Sequence, residues 1–400
     1  MVSTTSAYSN SRYRVNFNEG FDGVVRVVAG GHYATGALLW GGQAVLTAAH
    51  LFEGLSLSAS VHFETAAGSQ TVSSSRVLLH PSYVGDGNHD LALVWLSGHA
   101  PVGADRYGLY READAVGQRF DLLGYGRPGT GALGAVEPAT GTPSRLRAQN
   151  TWEADGAELK SALGVLMGWS PVPGSQWMAD FDNGLEAQDA LGRLMGRNDL
   201  GLGLDEGFMT PGDSGGPALV NGQIAGVASF LTSLSAGAVQ PDLNPDASSS
   251  FGELGAWQSV GFYQQWIDQS VRANYVDPPT QPEMVKKAVA EGQDGVSVVF
   301  FLLQFTGVRA SPDQWLSVDF ATRDGTANAG QDYLASRGKL ILYPGENQAV
   351  IPVEILADHV AEPNEVFYLD VFNPVGGNFG PGVTMLTGMR TILNDDDGLW

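Results

Sequence analysis

From Val24 to Leu393 the chain is written in short apolar runs that stop at glycine. Val24, Val25, Val27 and Val28 close on Ala29-Gly30-Gly31, while Gly36 to Trp40 ends at Gly41-Gly42 and passes at once into Gln43 to Thr47. Such runs are too short for stable helices and rich in β-branched residues, and the 53 glycines supply the tight turns between them. The pattern predicts an all-β chain of barrels and sandwiches. Four hundred residues exceed one core, so two or three domains are expected. Val276-Asp277-Pro278-Pro279-Thr280-Gln281-Pro282 marks a boundary, because proline holds the chain extended and removes ladder donors. The expected organisation is 1–275, a linker at 276–284, and 285–400.

A formal charge of −22 argues against a nucleic-acid partner, since phosphate neutralisation needs clustered Lys and Arg. With no cysteine there is no disulfide framework and no thiolate chemistry. No run reaches the roughly 18 apolar residues of a membrane span, and Met1 to Asn10 does not resemble a signal peptide. A cytosolic place and a secreted one both stay open on these grounds.

Chemistry concentrates at Thr210-Pro211-Gly212-Asp213-Ser214-Gly215-Gly216-Pro217. A serine among small residues before an apolar run offers an exposed hydroxyl on a tight turn, with neighbouring N–H groups able to converge on one oxygen. A lone Gly-Asp-Ser-Gly is also compatible with a surface turn. Two other stretches bear on it. Thr47-Ala48-Ala49-His50 places a histidine at the end of a strand-like run, with alanines leaving space around the ring, although a single histidine there is more often a packing residue. Asp90 leads straight into Leu91 to Leu96, where an unpartnered carboxylate would be costly. The order His, Asp, Ser is that of one convergent acyl-transfer triad.

On these three motifs, residues from about Gly20 to Tyr275 resemble a trypsin/chymotrypsin-like serine protease. Leu122 to Gly126, Gly226 to Phe230, Gly255-Ala256-Trp257 and the helical spacing of Val260 to Tyr275 add weaker support. The resemblance implies two six-stranded β-barrels with a C-terminal helix, His50, Asp90 and Ser214 as catalytic residues, and an oxyanion hole from Gly212 and Ser214. It implies no catalytic cofactor and a protein or peptide substrate. Phe208, Ser229, Phe230, Leu231 and Gly255 fall at substrate-binding positions, with apolar Phe208 at the pocket floor and Met209 beside it, so cleavage is expected after apolar or small residues. Asp205 and Glu206 stand close enough to reach the pocket as well. Asp213 is the activation-linked acid, which in this family pairs with a released α-amino group, and Arg14–Val15 is a candidate cleavage point. Residues 138–207 depart from compact family members and read as a surface elaboration rimming the cleft, including the odd stretch Met178 to Gly184.

Beyond the linker, six alternating runs read as a β-sandwich of immunoglobulin-like type. This part resembles a Calx-β domain on Val289 to Gly292, Asp324-Gly325-Thr326-Ala327-Asn328-Ala329-Gly330-Gln331-Asp332-Tyr333, Pro344-Gly345-Glu346, Glu362 to Glu365 and Asn394 to Asp397. From Glu283 onward there are 16 acidic residues against 7 basic ones. The resemblance implies Ca²⁺ ligands among Glu291, Asp324, Asp358, Glu362, Glu365, Asp395, Asp396 and Asp397, fewer than usual because Asp358 stands where the family pairs two aspartates. It also implies an extracellular setting and a surface or matrix partner. The expected function is a secreted serine endopeptidase. The alternatives are an adhesion protein that keeps the protease fold as scaffold, and a cytosolic quality-control protease.

Overall fold

The computed structural model describes residues 2–7, 9–137 and 143–396. The chain divides into two compact units, Met1–Ile267 and Asp268–Trp400.

The first unit contains two large strand systems and a small four-stranded sheet of two-residue strands, Gly134–Ala135, Gly129–Thr130, Ser3–Thr4 and Gly207–Phe208. β1 (Val24–Ala29), β2 (His32–Leu38), β3 (Ala44–Thr47), β4 (Ser60–Thr65), β5 (Gly68–Leu79) and β6 (Ala92–Leu96) close into a barrel in the order β1-β2-β3-β6-β5-β4. Inward valines and leucines such as Val25, Val27, Val45, Val61 and Val94 fill it.

The second system is a seven-stranded sheet. Its strands are β7 (Arg119–Gly124), β8 (Leu146–Thr151), β9 (Ala154–Asp155), β10 (Gln176–Asp180), β11 (Pro217–Val220), β12 (Gln223–Thr232) and β13 (Leu254–Ser259), in the order β8-β7-β11-β12-β13-β10-β9. Its two edges, β8 and β9, are separated in the chain only by Trp152 and Glu153. Three Cα steps reach at most about 11 Å, so the sheet must curl until its edges meet. A helix, Val260–Arg272, follows it.

The stretch 138–207 is not a surface elaboration as the sequence suggests. It supplies β8, β9 and β10, and Trp152 and Trp177 lie buried in the core of the second system. Of its aromatic residues only Trp177 lies in a strand, while Trp152 joins β8 to β9 and Phe181 follows β10, so no run-by-run period marks these strands. Phe208 belongs to the same core: it is fully buried and stacks on Phe181, with ring centroids 5.4 Å apart.

The second unit holds β14 (Ala288–Ala290), β15 (Val296–Gln304), β16 (Leu316–Asp324), β17 (Arg337–Leu342), β18 (Gln348–Leu356), β19 (Glu365–Val375) and β20 (Met385–Leu393). A five-stranded sheet, β14-β20-β19-β16-β17, accompanies a two-stranded one, β15-β18. Both contribute to one core, with Val299, Phe301, Ile351 and Val353 from the smaller sheet meeting Val318, Phe367 and Leu369 from the larger. The alternating pattern of the sequence gives these strands directly, since one face of each is buried.

Replacing Phe208 by Ala removes a fully buried ring and leaves a cavity. The expected cost is about 3–5 kcal/mol on the unfolding transition of the first unit, measured by calorimetry or denaturant titration.

Candidate active site

The end of β3 runs into a single helical turn, Ala49–Phe52, that carries His50. Asp90 lies just before β6, buried, after a turn in which His89 takes a positive φ of 55°. Its carboxylate accepts the His50 backbone N–H at 2.8 Å and stands 2.7 Å from His50 Nδ1. The Ser229 hydroxyl donates to the same carboxylate at 2.6 Å. Ser229 sits where the register of β12 shifts against β13, a bulge that re-aims a side chain. Gln258 Nε2 lies 3.3 Å from that hydroxyl and 3.0 Å from the Gly87 carbonyl.

Burial opposes both charges of the pair, yet the pair overcomes it. Desolvation acts to lower the His50 pKa, but the bond and charge of Asp90 outweigh it and the value rises above the ordinary 6.5. Desolvation acts to raise Asp90, and its bonds to His50 and Ser229 bring it below its usual value.

The serine turn is held tightly. Gly212 has φ +100°, and a Cβ there would meet the Tyr33 ring at 2.8 Å. At Gly215, with φ +78°, a Cβ would meet Thr47 Oγ1 at 2.1 Å and the Thr35 carbonyl at 2.3 Å. Only glycine fits at these two places. Asp213, Gly215 and Gly216 donate their N–H groups to Thr210, Ala228 and Asp213 carbonyls. The N–H groups of Gly212 and Ser214 have no protein acceptor among the described residues.

His50, Asp90 and Ser214 line one cleft of about 550 Å³ together with Glu53, Asp86, Met209, Ser229, Phe230 and Leu231. Trp169 lines it too, edge-on to Phe230 at 5.1 Å, with its indole N–H on Gln176 at 2.8 Å. Trp169 belongs to the stretch 138–207 that the sequence places at the rim of the cleft, and it is the tryptophan of that stretch that lines it.

Other predicted positions are distributed differently. Phe208 is in the core and does not line the cleft; its neighbour Met209 does. Gly255 is buried under the Trp257 ring, where a Cβ would approach to 2.8 Å. Ser229 is turned toward Asp90. Asp205 is exposed and ion-paired with Arg12 at 2.6 Å, while Glu206 is fully buried with its oxygens on the Leu202 and Asp182 N–H groups. The buried Asp213 carboxylate accepts from the N–H groups of Gly126 at 2.7 Å and Thr210 at 2.9 Å; burial raises its pKa and these bonds hold it down. The amino group of Met1 lies outside the described residues. Ser3 and Thr4 are buried and pair with Phe208 and Gly207 on one side and Gly129 and Thr130 on the other. Cleavage between Arg14 and Val15 would therefore leave a bound strand to release.

In the second unit, carboxylate oxygens of Asp332, Glu362 and Glu365 lie within 4.8 Å of one another. Burial, then the charges of Asp358, Asp396, Glu362 and Asp332, push Glu291 up to about 7. Burial and a bond shared with Asp332 bring Glu365 to about 7. Asp396 Oδ2 is buried without a partner, and Asp395 caps the Gly292 N–H at 3.0 Å. Asp358 accepts its own Val360 N–H. Asp324 is committed elsewhere, to the Tyr333 hydroxyl and the Ala329 N–H. Asp397 lies outside the described residues. Asp332, the aspartate of the Gly-Gln-Asp-Tyr signature, is the member of this group that the sequence reading left out.

A six-stranded barrel beside a curled sheet, with His50, Asp90 and Ser214 in one cleft, defines the trypsin-like class. Residues 4–152 match the Trypsin family and residues 290–398 the Calx-beta domain, so the chain joins a trypsin-like domain to a Calx-beta domain. Among curated proteins it is similar to the sodium/calcium exchanger Calx of Drosophila melanogaster, 38% identical over 92 residues that cover 23% of this chain and 10% of that protein. It is also similar to sodium/calcium exchanger 2 of Mus musculus, 29% identical over 153 residues covering 32% and 17%. The chain thus spans only 10% to 17% of these relatives. A solved structure of neuropsin, a serine protease expressed in the limbic system of mouse brain, aligns with TM-score 0.46 and 18% identity over 65% of this chain and 98% of that one.

Replacing Ser229 by Ala removes one charged hydrogen bond from Asp90, worth about 1.5–3 kcal/mol. If Asp90 orients His50, turnover falls by about tenfold or more, a loss that single-turnover kinetics would place in the chemical step.

Proposed function

We propose that the protein is a serine endopeptidase. The observation that carries this reading is the buried Asp90 carboxylate, which takes both the ring and the backbone N–H of His50 in the cleft where Ser214 sits. Asp90 fixes the tautomer with its proton on Nδ1, leaving Nε2 to remove the Ser214 hydroxyl proton as the oxygen attacks the scissile carbonyl. The free N–H groups of Gly212 and Ser214 receive the oxyanion, and each such donor is worth about 3 kcal/mol in the transition state. His50 returns the proton to the leaving amine, and water repeats the cycle on the acyl-enzyme.

The cleft is walled by Met209, Trp169, Phe230 and Leu231, with no Lys or Arg among its lining residues. An apolar residue before the scissile bond fits these walls. Glu53 and Asp86, at the same opening, favour basic residues elsewhere in the substrate. The Asp332, Glu362 and Glu365 group, with Glu291 and Asp396 beside it, has the hard oxygen donors that Ca²⁺ prefers. We place calcium binding there, and a secreted setting belongs to the same reading.

Cleavage profiling on a peptide library, against Ser214→Ala, tests the activity. The account expects apolar residues before the cut and a control that is silent; equal cleavage by Ser214→Ala, or preferred hydrolysis of an Arg-anilide, would overturn it. Neutral His50 is required as base, so kcat/KM should fall on the acid side with an apparent pKa above 6.5.

Glu291 and Glu365 titrate near 7 in the fold against an ordinary 4.5, so the folded state holds more protons between these values. Without calcium, the contribution of these two groups to the stability of the second unit is full below pH 4.5 and is lost as pH rises toward 7. Calcium should abolish that fall, and Glu362→Gln/Glu365→Gln should abolish the calcium effect, both read by thermal melting.

A further inference from the structure

Five carboxylates converge inside the first unit, away from the His50 cleft. Glu153 stands between β8 and β9, Asp180 ends β10, Asp182 follows it, Asp189 caps the helix Ala190–Met195, and Glu206 precedes Phe208. All five are buried, Asp180, Asp182, Asp189 and Glu206 completely and Glu153 at 4% exposure. They form two overlapping groups, Glu153 with Asp180 and Asp189, and Asp180 with Asp182 and Glu206; within each, one oxygen per residue lies within 4.8 Å of the others.

Backbone donors fix one oxygen each of Asp180 and Asp182 and both oxygens of Asp189 and Glu206. Asp180 Oδ2 accepts from Leu191 at 2.7 Å, Asp182 Oδ1 from Gly184 at 2.6 Å, Asp189 from Gly192 and Asp199, and Glu206 from Leu202 and Asp182. The remaining oxygens of the cluster are a different matter. Both oxygens of Glu153, Asp180 Oδ1 and Asp182 Oδ2 are buried with no hydrogen-bond partner. No Lys or Arg forms an ion pair with any of the five among the described residues. A Cβ at Gly201 would come within 2.0 Å of Glu206 Oε1 and 3.2 Å of Glu153 Oε1, so the chain leaves room for two carboxylates to face one point.

Buried charges without partners are among the costliest features a fold can hold. Four buried carboxylate oxygens without partners, carried by residues of one acidic cluster, therefore call for a cation. We propose that this cluster is a calcium site of the trypsin-like domain, separate from the acidic group of the second unit. The donor set is all oxygen, with no His or Cys, which disfavours zinc. Magnesium keeps several waters and demands near-ideal octahedral geometry, whereas Ca²⁺ accepts crowded, irregular carboxylates. Ligands of a Ca²⁺ at about 2.4 Å can stand no more than about 4.8 Å apart, and within each group the oxygens lie inside that limit. The bound ion ties the ends of β8 and β10 to the segment 181–206, which leads into Phe208 and the cleft residue Met209. Burial first, then the neighbouring acids, raises the pKa of Glu153, Asp180 and Glu206, as expected of a metal-free cluster that answers with protons instead.

The full chain, stripped with EDTA and desalted, is the material for the test, with Glu153→Gln/Asp180→Asn and Glu362→Gln/Glu365→Gln beside it. Calcium bound per chain is measured by equilibrium dialysis, and melting of each unit by calorimetry. The expected result is at least one Ca²⁺ fewer in Glu153→Gln/Asp180→Asn than in wild type, with loss of a calcium-induced rise of several degrees in the first unit. Glu362→Gln/Glu365→Gln keeps that rise. Hydrogen exchange on wild type needs no variant: calcium should slow the amides of Asp182, Gly184, Leu191 and Leu202. Equal stoichiometry and equal melting in wild type and Glu153→Gln/Asp180→Asn, or unchanged exchange across 181–206 at millimolar Ca²⁺, would overturn the proposal and leave a cluster neutralised by protons.

Discussion

The arrangement of the first unit depends on Thr35, which joins its two strand systems. Its backbone N–H donates to the Ser214 carbonyl at 2.8 Å and its hydroxyl to the Gly212 carbonyl at 2.9 Å, while its oxygens accept from Tyr125 N–H and Thr47 Oγ1. Thr35 is fully buried, so these bonds are shielded from water. Thr47 lies three residues before His50, and Ser214 begins the turn into β11. One side chain and its peptide thereby fix the serine turn against the strand that delivers the histidine. Glycine at 215 and 216 is what lets the two backbones approach, since a Cβ at Gly216 would sit 2.6 Å from the Leu123 carbonyl.

From this seam the electrostatics follow. Asp90 is buried but takes three donors, so it stays ionised and holds His50 in one orientation. The carboxylates at 153, 180, 182, 189 and 206 are buried as deeply, but they accept fewer donors and face one another. Two environments of similar dryness thus give opposite outcomes, a lowered pKa at Asp90 and raised values in the cluster, and the difference is the donors and the neighbouring charges that face each carboxylate.

What the sequence disclosed reflects how each feature is encoded. The serine turn and the Asp324 to Tyr333 signature are contiguous, because one tight backbone path must carry all their groups. His50 and Asp90 were legible from their place at strand ends beside small or apolar residues. The sandwich strands were legible because one face of each is wet. Residues that meet only in three dimensions were not: Ser229 reaches Asp90 across 139 positions, and Glu153, Asp180 and Glu206 stand 26 or more positions apart with nothing in the linear chain to join them. Phe208 failed as a pocket floor for a related reason. Counting back from the serine placed it, but stacking on Phe181 turned it into the core and left Met209 to face the cleft.

The central claim is that this seam makes Ser214 a nucleophile. The direct measurement is reaction of the native full chain with a fluorophosphonate, followed by peptide mass mapping across pH. The account predicts one adduct per chain, located on Ser214, forming faster as His50 loses its proton and absent in His50→Ala. No adduct, or an adduct on another serine with Ser214 unmodified, would contradict it.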